Sequence, residues 1–106
     1  MSLREYLQTL RDSGRLAVVR EPVSKNREMA GILKKAEPRP VLFESVRESR
    51  FRAAGNLFCG KAPFAEYFGI QPREIIPFLS NAIGKASPPA RWTGGTPPCQ
   101  QVVDLA

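Results

Sequence analysis

The chain has 106 residues, 42% hydrophobic and 25% charged, with a formal net charge of +6, two cysteines and no histidine. This is the size and composition of one globular domain. No apolar stretch approaches the ~20 residues of a membrane-spanning helix, and the opening MSLREYLQ lacks the apolar run of a secretion signal, so a cytoplasmic protein is expected.

Ser2 to Ser13 is predicted as the first helix. Ser2-Leu3-Arg4-Glu5 reads as a capping box, and Leu3, Tyr6, Leu7 and Leu10 recur at helical spacing as one apolar stripe. Gly14 is placed to end it. Arg15 to Val19 reads as a strand, closed near Pro22. Ser24 or Asn26 is expected to cap a second helix, with Met29, Ile32, Leu33 and Ala36 inward and Lys34-Lys35 in its last turn. Pro38 and Pro40 forbid its continuation.

Two strands follow, Val41 to Glu44 and Phe51 to Ala54. Pro63 is expected at the first position of a short helix, Pro63 to Phe68, stopped by Gly69. Pro72 opens a fourth helical segment whose Ile75, Ile76, Leu79 and Ile83 share a face. Pro77 conflicts with a continuous helix, because an interior proline costs about 3 kcal/mol. A turn at Pro72 to Ile76 with a fresh start at Pro77 is therefore expected.

From Lys85 to Pro98 the run KASPPARWTGGTPP reads as an extended strap, with Trp92 as its anchor on a neighbouring surface. Gln100 to Leu105 reads as a further strand. The expected organisation is an α/β (α+β) domain over residues 1–84, a small mixed sheet packed with about four helices, then a proline- and glycine-rich strap and strand over 85–106. A chain that reaches a new strand at its end is expected to be the front of something longer or one piece of an assembly.

The chain carries few chemistry-bearing patterns. Without histidine there is no Ser–His–Asp or Cys–His set and no ordinary proton carrier near neutral pH. Cys59 and Cys99 have no zinc-ligand spacing and are expected as free thiols in a reducing compartment. Cys59 is read as a small buried residue before a turn. The ten carboxylates are Glu5, Asp12, Glu21, Glu28, Glu37, Glu44, Glu48, Glu66, Glu74 and Asp104, and they fall in no acid/base or metal pattern. Gly55 to Ala62 matches G-x-x-x-x-G-K but ends in alanine where a phosphate loop needs Ser or Thr, and Pro63 intrudes on the helix that must begin at the lysine. Gly55-Asn56 is read instead as a turn or close-packing device. Phe51 between Arg50 and Arg52 has the form of a base-stacking site, but the basic residues are dispersed, which favours a solvated surface over nucleic-acid binding. No catalytic, cofactor-binding or metal-binding residue is assigned.

Taken in order, SLREYLQTLRDSGRL, VVREPV, EMAGILKKA, PVLFESV and AAGNLFCGKAPFAEYFGI resemble the N-terminal region of the UbiD family, decarboxylases that use prenylated flavin mononucleotide. The later PPCQQVV resembles the family's strand that enters its central domain, so the resemblance covers about residues 2 to 103. It implies a domain attached to a flavin-reductase-like split barrel in which prenylated FMN, manganese and potassium bind. The family's Arg–Glu–Glu catalytic set and metal ligands fall in that barrel and carry over to no residue here. The implied role is structural, within a reversible decarboxylase of aromatic or α,β-unsaturated acids, and the implied partner is the remainder of the enzyme or a catalytic subunit in a homo- or hetero-oligomer. The rival expectations are a stand-alone interaction or regulatory module and a basic nucleic-acid-binding domain.

Overall fold

A computed structural model describes residues 1–102. Its first helix, α1, runs Leu3–Asp12 and opens on the expected capping box: the Glu5 N–H donates to Ser2 Oγ at 3.3 Å, and the Ser2 N–H donates to the Glu5 carboxylate at 2.6 Å. Two N-terminal amides that the helix itself cannot satisfy are thereby paired. Strand β1 is Ala17–Val19, helix α2 is Glu28–Ala36, and strand β2 is Val41–Phe43. These form a βαβ unit, because β1 and β2 pair in parallel with Ala17 opposite Val41. Strand β3, Ala53–Gly55, returns antiparallel on the other edge of β2, giving the sheet order β1-β2-β3.

Every residue of β2 is buried, as expected of a central strand covered on both faces. The two-residue period divides its side chains. Leu42 joins Tyr6, Leu10 and Leu16 under α1. Val41 and Phe43 join Val23 and Val46, against which Met29, Ile32, Leu33 and Ala36 of α2 pack. That is the inward stripe read from the sequence, and burial of each large side chain contributes roughly 1.5–3 kcal/mol.

The start of α2 differs from expectation. Neither Ser24 nor Asn26 caps it. Arg27 is the N-cap, with φ of 69° and no side-chain cap bond. The Ser24 hydroxyl donates to the Glu48 carboxylate, which also accepts from the Lys25 N–H at 3.0 Å, while the Ser24 oxygen accepts from the Asn26 N–H at 3.1 Å, ahead of the helix.

Helix α3 is Lys61–Phe68, two residues longer at its start than expected, so Pro63 is its third residue rather than its first. A third-position N–H has no intrahelical acceptor, and its loss costs the ladder nothing. Gly69 ends α3 in the left-handed region, φ 68°, which glycine alone enters without a Cβ penalty. The same logic settles Pro77. A short 3-10 turn at Pro72–Glu74 leads straight into α4, Ile75–Gly84, where Pro77 is again the third residue. The helix begins two residues before the expected restart. Beyond it, Pro98–Gln100 is a second 3-10 turn in place of the start of the expected strand, whose later residues lie outside the described ones.

Candidate functional site: an unpartnered apolar face

The buried core comprises Tyr6, Leu10, Leu16, Val23, Val41, Leu42, Phe43, Val46 and Ala65, and no described residue after Ala65 is buried. The radius of gyration is 17.6 Å, against ~13 Å for a compact chain of this length. The last third of the chain therefore lies outside the core that the first two thirds build.

Helix α4 is the plainest case. Its sequence IIPFLSNAIG is apolar, yet none of its residues is buried. Ile76 is 76% exposed, Leu79 42% and Ile83 77%. Their spacing of three and four residues sets them on one face. The opposite side is tied back through Phe78, whose ring lies 5.2 Å from that of Phe68. Phe68 continues an aromatic chain through Phe64 (4.8 Å), Phe58 (6.1 Å) and Tyr6 (5.7 Å). Such ring pairs add about 0.5–1.5 kcal/mol each beyond area burial. The helix is thus anchored on one side and left bare on the other. Bare apolar clusters on an otherwise ordinary surface mark contact sites.

The strap is exposed as well. Trp92 was expected to pack on its neighbours, but it is 55% exposed and its indole lies over Gly94, at 3.4 Å from where a Cβ would stand. Cys59, expected to be buried, is exposed, as is Cys99, and both are free thiols.

The ordered carboxylates serve the fold. Glu66 on α3 makes a two-point ion pair with Arg15, both contacts at 2.7 Å, and the guanidinium holds the carboxyl below its ordinary range. The hydrogen bond from Ser24, with that from the Lys25 amide, does the same for Glu48, and the Ser2 amide does it for Glu5. Glu44 faces Arg11 at 3.3 Å and Arg20 at 3.8 Å. Burial raises the Tyr6 phenol. No group of three His, Cys, Asp or Glu side chains that could hold a metal occurs among the described residues. Helix α3 does begin at Lys61, after β3, but Ala62 brings no hydroxyl and Pro63 removes an amide, so the loop lacks the donors of a phosphate cradle. Phe51 is exposed, with the Arg50 guanidinium 5.2 Å from its ring centre. No helix among the described residues is long and apolar enough to cross a membrane.

Gly55 and Asn56 are the close-packing pair read from the sequence. A Cβ on Gly55 would lie 2.5 Å from Leu33 Cδ2. Asn56 adopts φ of 58° and its amide donates to the Leu33 carbonyl at 2.8 Å, tying β3 to the last turn of α2.

Among solved structures, the UbiD-class enzyme HmfF from Pelotomaculum thermopropionicum in complex with FMN is 28% identical, with a TM-score of 0.75 over 83% of this chain and 20% of that one. An evolved dimeric form of HmfF in complex with prFMN matches with a TM-score of 0.74 and 28% identity, over 82% of this chain and 21% of that one. The vanillic acid decarboxylase of Sedimentibacter hydroxybenzoicus in its open form, 24% identical with a TM-score of 0.57, covers 66% of this chain and 16% of that one, and shares the fold. The chain thus spans about a fifth of the length of the HmfF structures it resembles. No curated protein matches it significantly. The model of the 3-octaprenyl-4-hydroxybenzoate carboxy-lyase N-terminal domain matches residues 7–83, well over half of the sequence, and the chain belongs to that UbiD N-terminal family.

Proposed function

We propose that this chain is the N-terminal structural domain of a UbiD-type reversible decarboxylase acting on aromatic or α,β-unsaturated carboxylic acids. Its role is to dock on the flavin-binding part of the enzyme. The observation that carries this reading is the apolar face of Ile76, Leu79 and Ile83, anchored behind by Phe78 and uncovered in front. A domain that fills so small a core from its first 65 residues and then presents an apolar helix has its remaining burial to make against another body.

Residues 1–84 form the domain in this reading, and 85–106 lead across to the flavin-binding part. The flavin complexes of the two HmfF structures support placing prenylated FMN in the enzyme as a whole. Manganese and potassium belong with it, outside this chain, and none of the residues here is catalytic. The free thiols of Cys59 and Cys99 support a reducing, cytoplasmic setting. The complete enzyme is an oligomer.

The test is the absorbance and partner capture of the purified 106-residue chain. Supplied with prenylated FMN it retains no flavin absorbance after gel filtration and releases no CO2 from aromatic acids. It captures the flavin-binding polypeptide of a UbiD-class enzyme, and the double substitution Ile76→Asp/Ile83→Asp abolishes capture. A stoichiometric flavin band on the isolated chain, or capture indifferent to the two substitutions, overturns the proposal.

A further inference from the structure

The β3 edge of the sheet lies beside a groove of about 390 Å³ between α1 and β3. The direction of its free backbone groups follows from the ladder. The Ala17 N–H donates to the Pro40 carbonyl and the Glu44 N–H donates to the Val19 carbonyl, so the even-numbered residues of β2 face β1. The odd-numbered Val41 and Phe43 therefore face β3, where they pair with Gly55 and Ala53. Ala54, between those two, directs its N–H and C=O away from the sheet. It is exposed and lines the groove.

The groove joins an apolar floor to a basic rim. Leu3, Leu7 and Phe51 supply apolar surface, while Arg4, Arg11 and Arg52 stand around it. Arg11 is held by Glu44. Arg4 and Arg52 make no ion pair among the described residues, and no carboxylate lines the groove. Phe51 is 69% exposed at its mouth.

We propose that this edge receives an extended acidic segment of a partner polypeptide, which adds to the sheet as a fourth strand beside β3. Main-chain bonds to Ala54 set its register, as in other strand additions. The two-residue period then turns one apolar side chain into the groove, with a carboxylate two residues to either side. Those carboxylates meet Arg4 and Arg52. An uncharged segment would leave two arginines without counter-charge beside apolar surface, and a basic one would be repelled by a chain of net charge +6. The site is separate from the face of α4 and does not depend on the function proposed above.

The probe is a fluorescein-labelled peptide with a threonine-spaced core of glutamate, leucine and glutamate, titrated into the 106-residue chain by fluorescence anisotropy. Saturable binding is expected. The variant Arg4→Glu/Arg52→Glu weakens it about tenfold or more, since two pairs are reversed in sign. Ala54→Pro weakens it about fivefold, the loss of one main-chain bond. Proline is tolerated where an edge N–H points to solvent, so the unfolding midpoint of Ala54→Pro stays near that of the parent and shows that the sheet persists. A peptide with lysine in place of both glutamates does not bind. Absence of saturable binding, equal binding of the lysine peptide, or an Ala54→Pro variant that binds as the parent does would each overturn the proposal.

Discussion

Replacing Gly55 by alanine tests how closely α2 and β3 approach. The new Cβ would stand 2.5 and 2.8 Å from the two methyl carbons of Leu33 and 3.3 Å from its Cγ. Swinging the methyls aside leaves the Cγ contact, so the Leu33 side chain as a whole has to shift by a few tenths of an ångström. Overpacking of this kind costs typically 1–3 kcal/mol. Loss of glycine's freedom in the unfolded chain returns about 0.4–1 kcal/mol, because residue 55 sits in an ordinary strand conformation. The net expectation is about 1–2 kcal/mol of destabilisation, a fall in Tm of roughly 4–16 °C for a domain of this size. Urea unfolding followed by far-UV circular dichroism measures it. The cause is isolated by a double-mutant cycle with Leu33→Ala. Leu33→Ala alone destabilises by opening a cavity, but in the Gly55→Ala background it costs at least about 1 kcal/mol less, because the new methyl occupies the vacated space. A Gly55→Ala protein as stable as the parent, or strictly additive effects in the cycle, would refute the close-approach argument.

Ser2→Ala removes the hydroxyl half of the capping box and is expected to destabilise by about 1 kcal/mol, with faster amide exchange confined to the first turn of α1. Asn56→Leu loses the bond to the Leu33 carbonyl and forces a branched side chain to φ of 58°, a combined cost of about 2 kcal/mol; Asn56→Gly, which keeps the backbone freedom, recovers part of it in the same unfolding assay. The Glu66 carboxyl is lowered in the folded protein, so its contribution is complete above the ordinary glutamate range, about 4.3, and is lost as the pH falls through the lowered folded value. Because both partners are nearly half exposed, that contribution is at most about 1 kcal/mol, and Glu66→Gln is expected to flatten this acid limb of stability against pH. Ile76→Asp/Ile83→Asp leaves the unfolding free energy of the chain within about 0.5 kcal/mol of the parent, since neither side chain is packed within it.

Residues whose role is local were legible before the fold was known. The Ser2–Glu5 box lies within one turn of helix, Gly69 ends its helix through its own backbone, and the inward stripe of α2 follows from helical period alone. The misread positions have different causes. Ser24 was read as a cap, but its oxygen accepts from Asn26 and its proton goes to Glu48, a partner that no window around residue 24 contains. Pro63 and Pro77 were read as helix starts, whereas each helix begins two residues earlier, because a proline is tolerated anywhere in a first turn. Cys59 and Trp92 were assigned to packed surfaces on residue type, yet both stand exposed. The candidate site was half visible: the apolar spacing of Ile76, Leu79 and Ile83 is in the sequence, but its bareness is not.

The sequence by itself determined the α/β class, the approximate places of four helices and three strands, and the family, through ordered short motifs whose physics is local. The tertiary structure alone decided which apolar surface is used internally and which is left over. It set Leu42 under α1 and Val41 with Phe43 under α2, closed Gly55 on Leu33, and turned Phe78 inward so that Ile76 and Ile83 face outward. The reason is that hydrophobicity and period state that a side chain can be buried, whereas burial depends on which other surfaces the folded chain brings within contact.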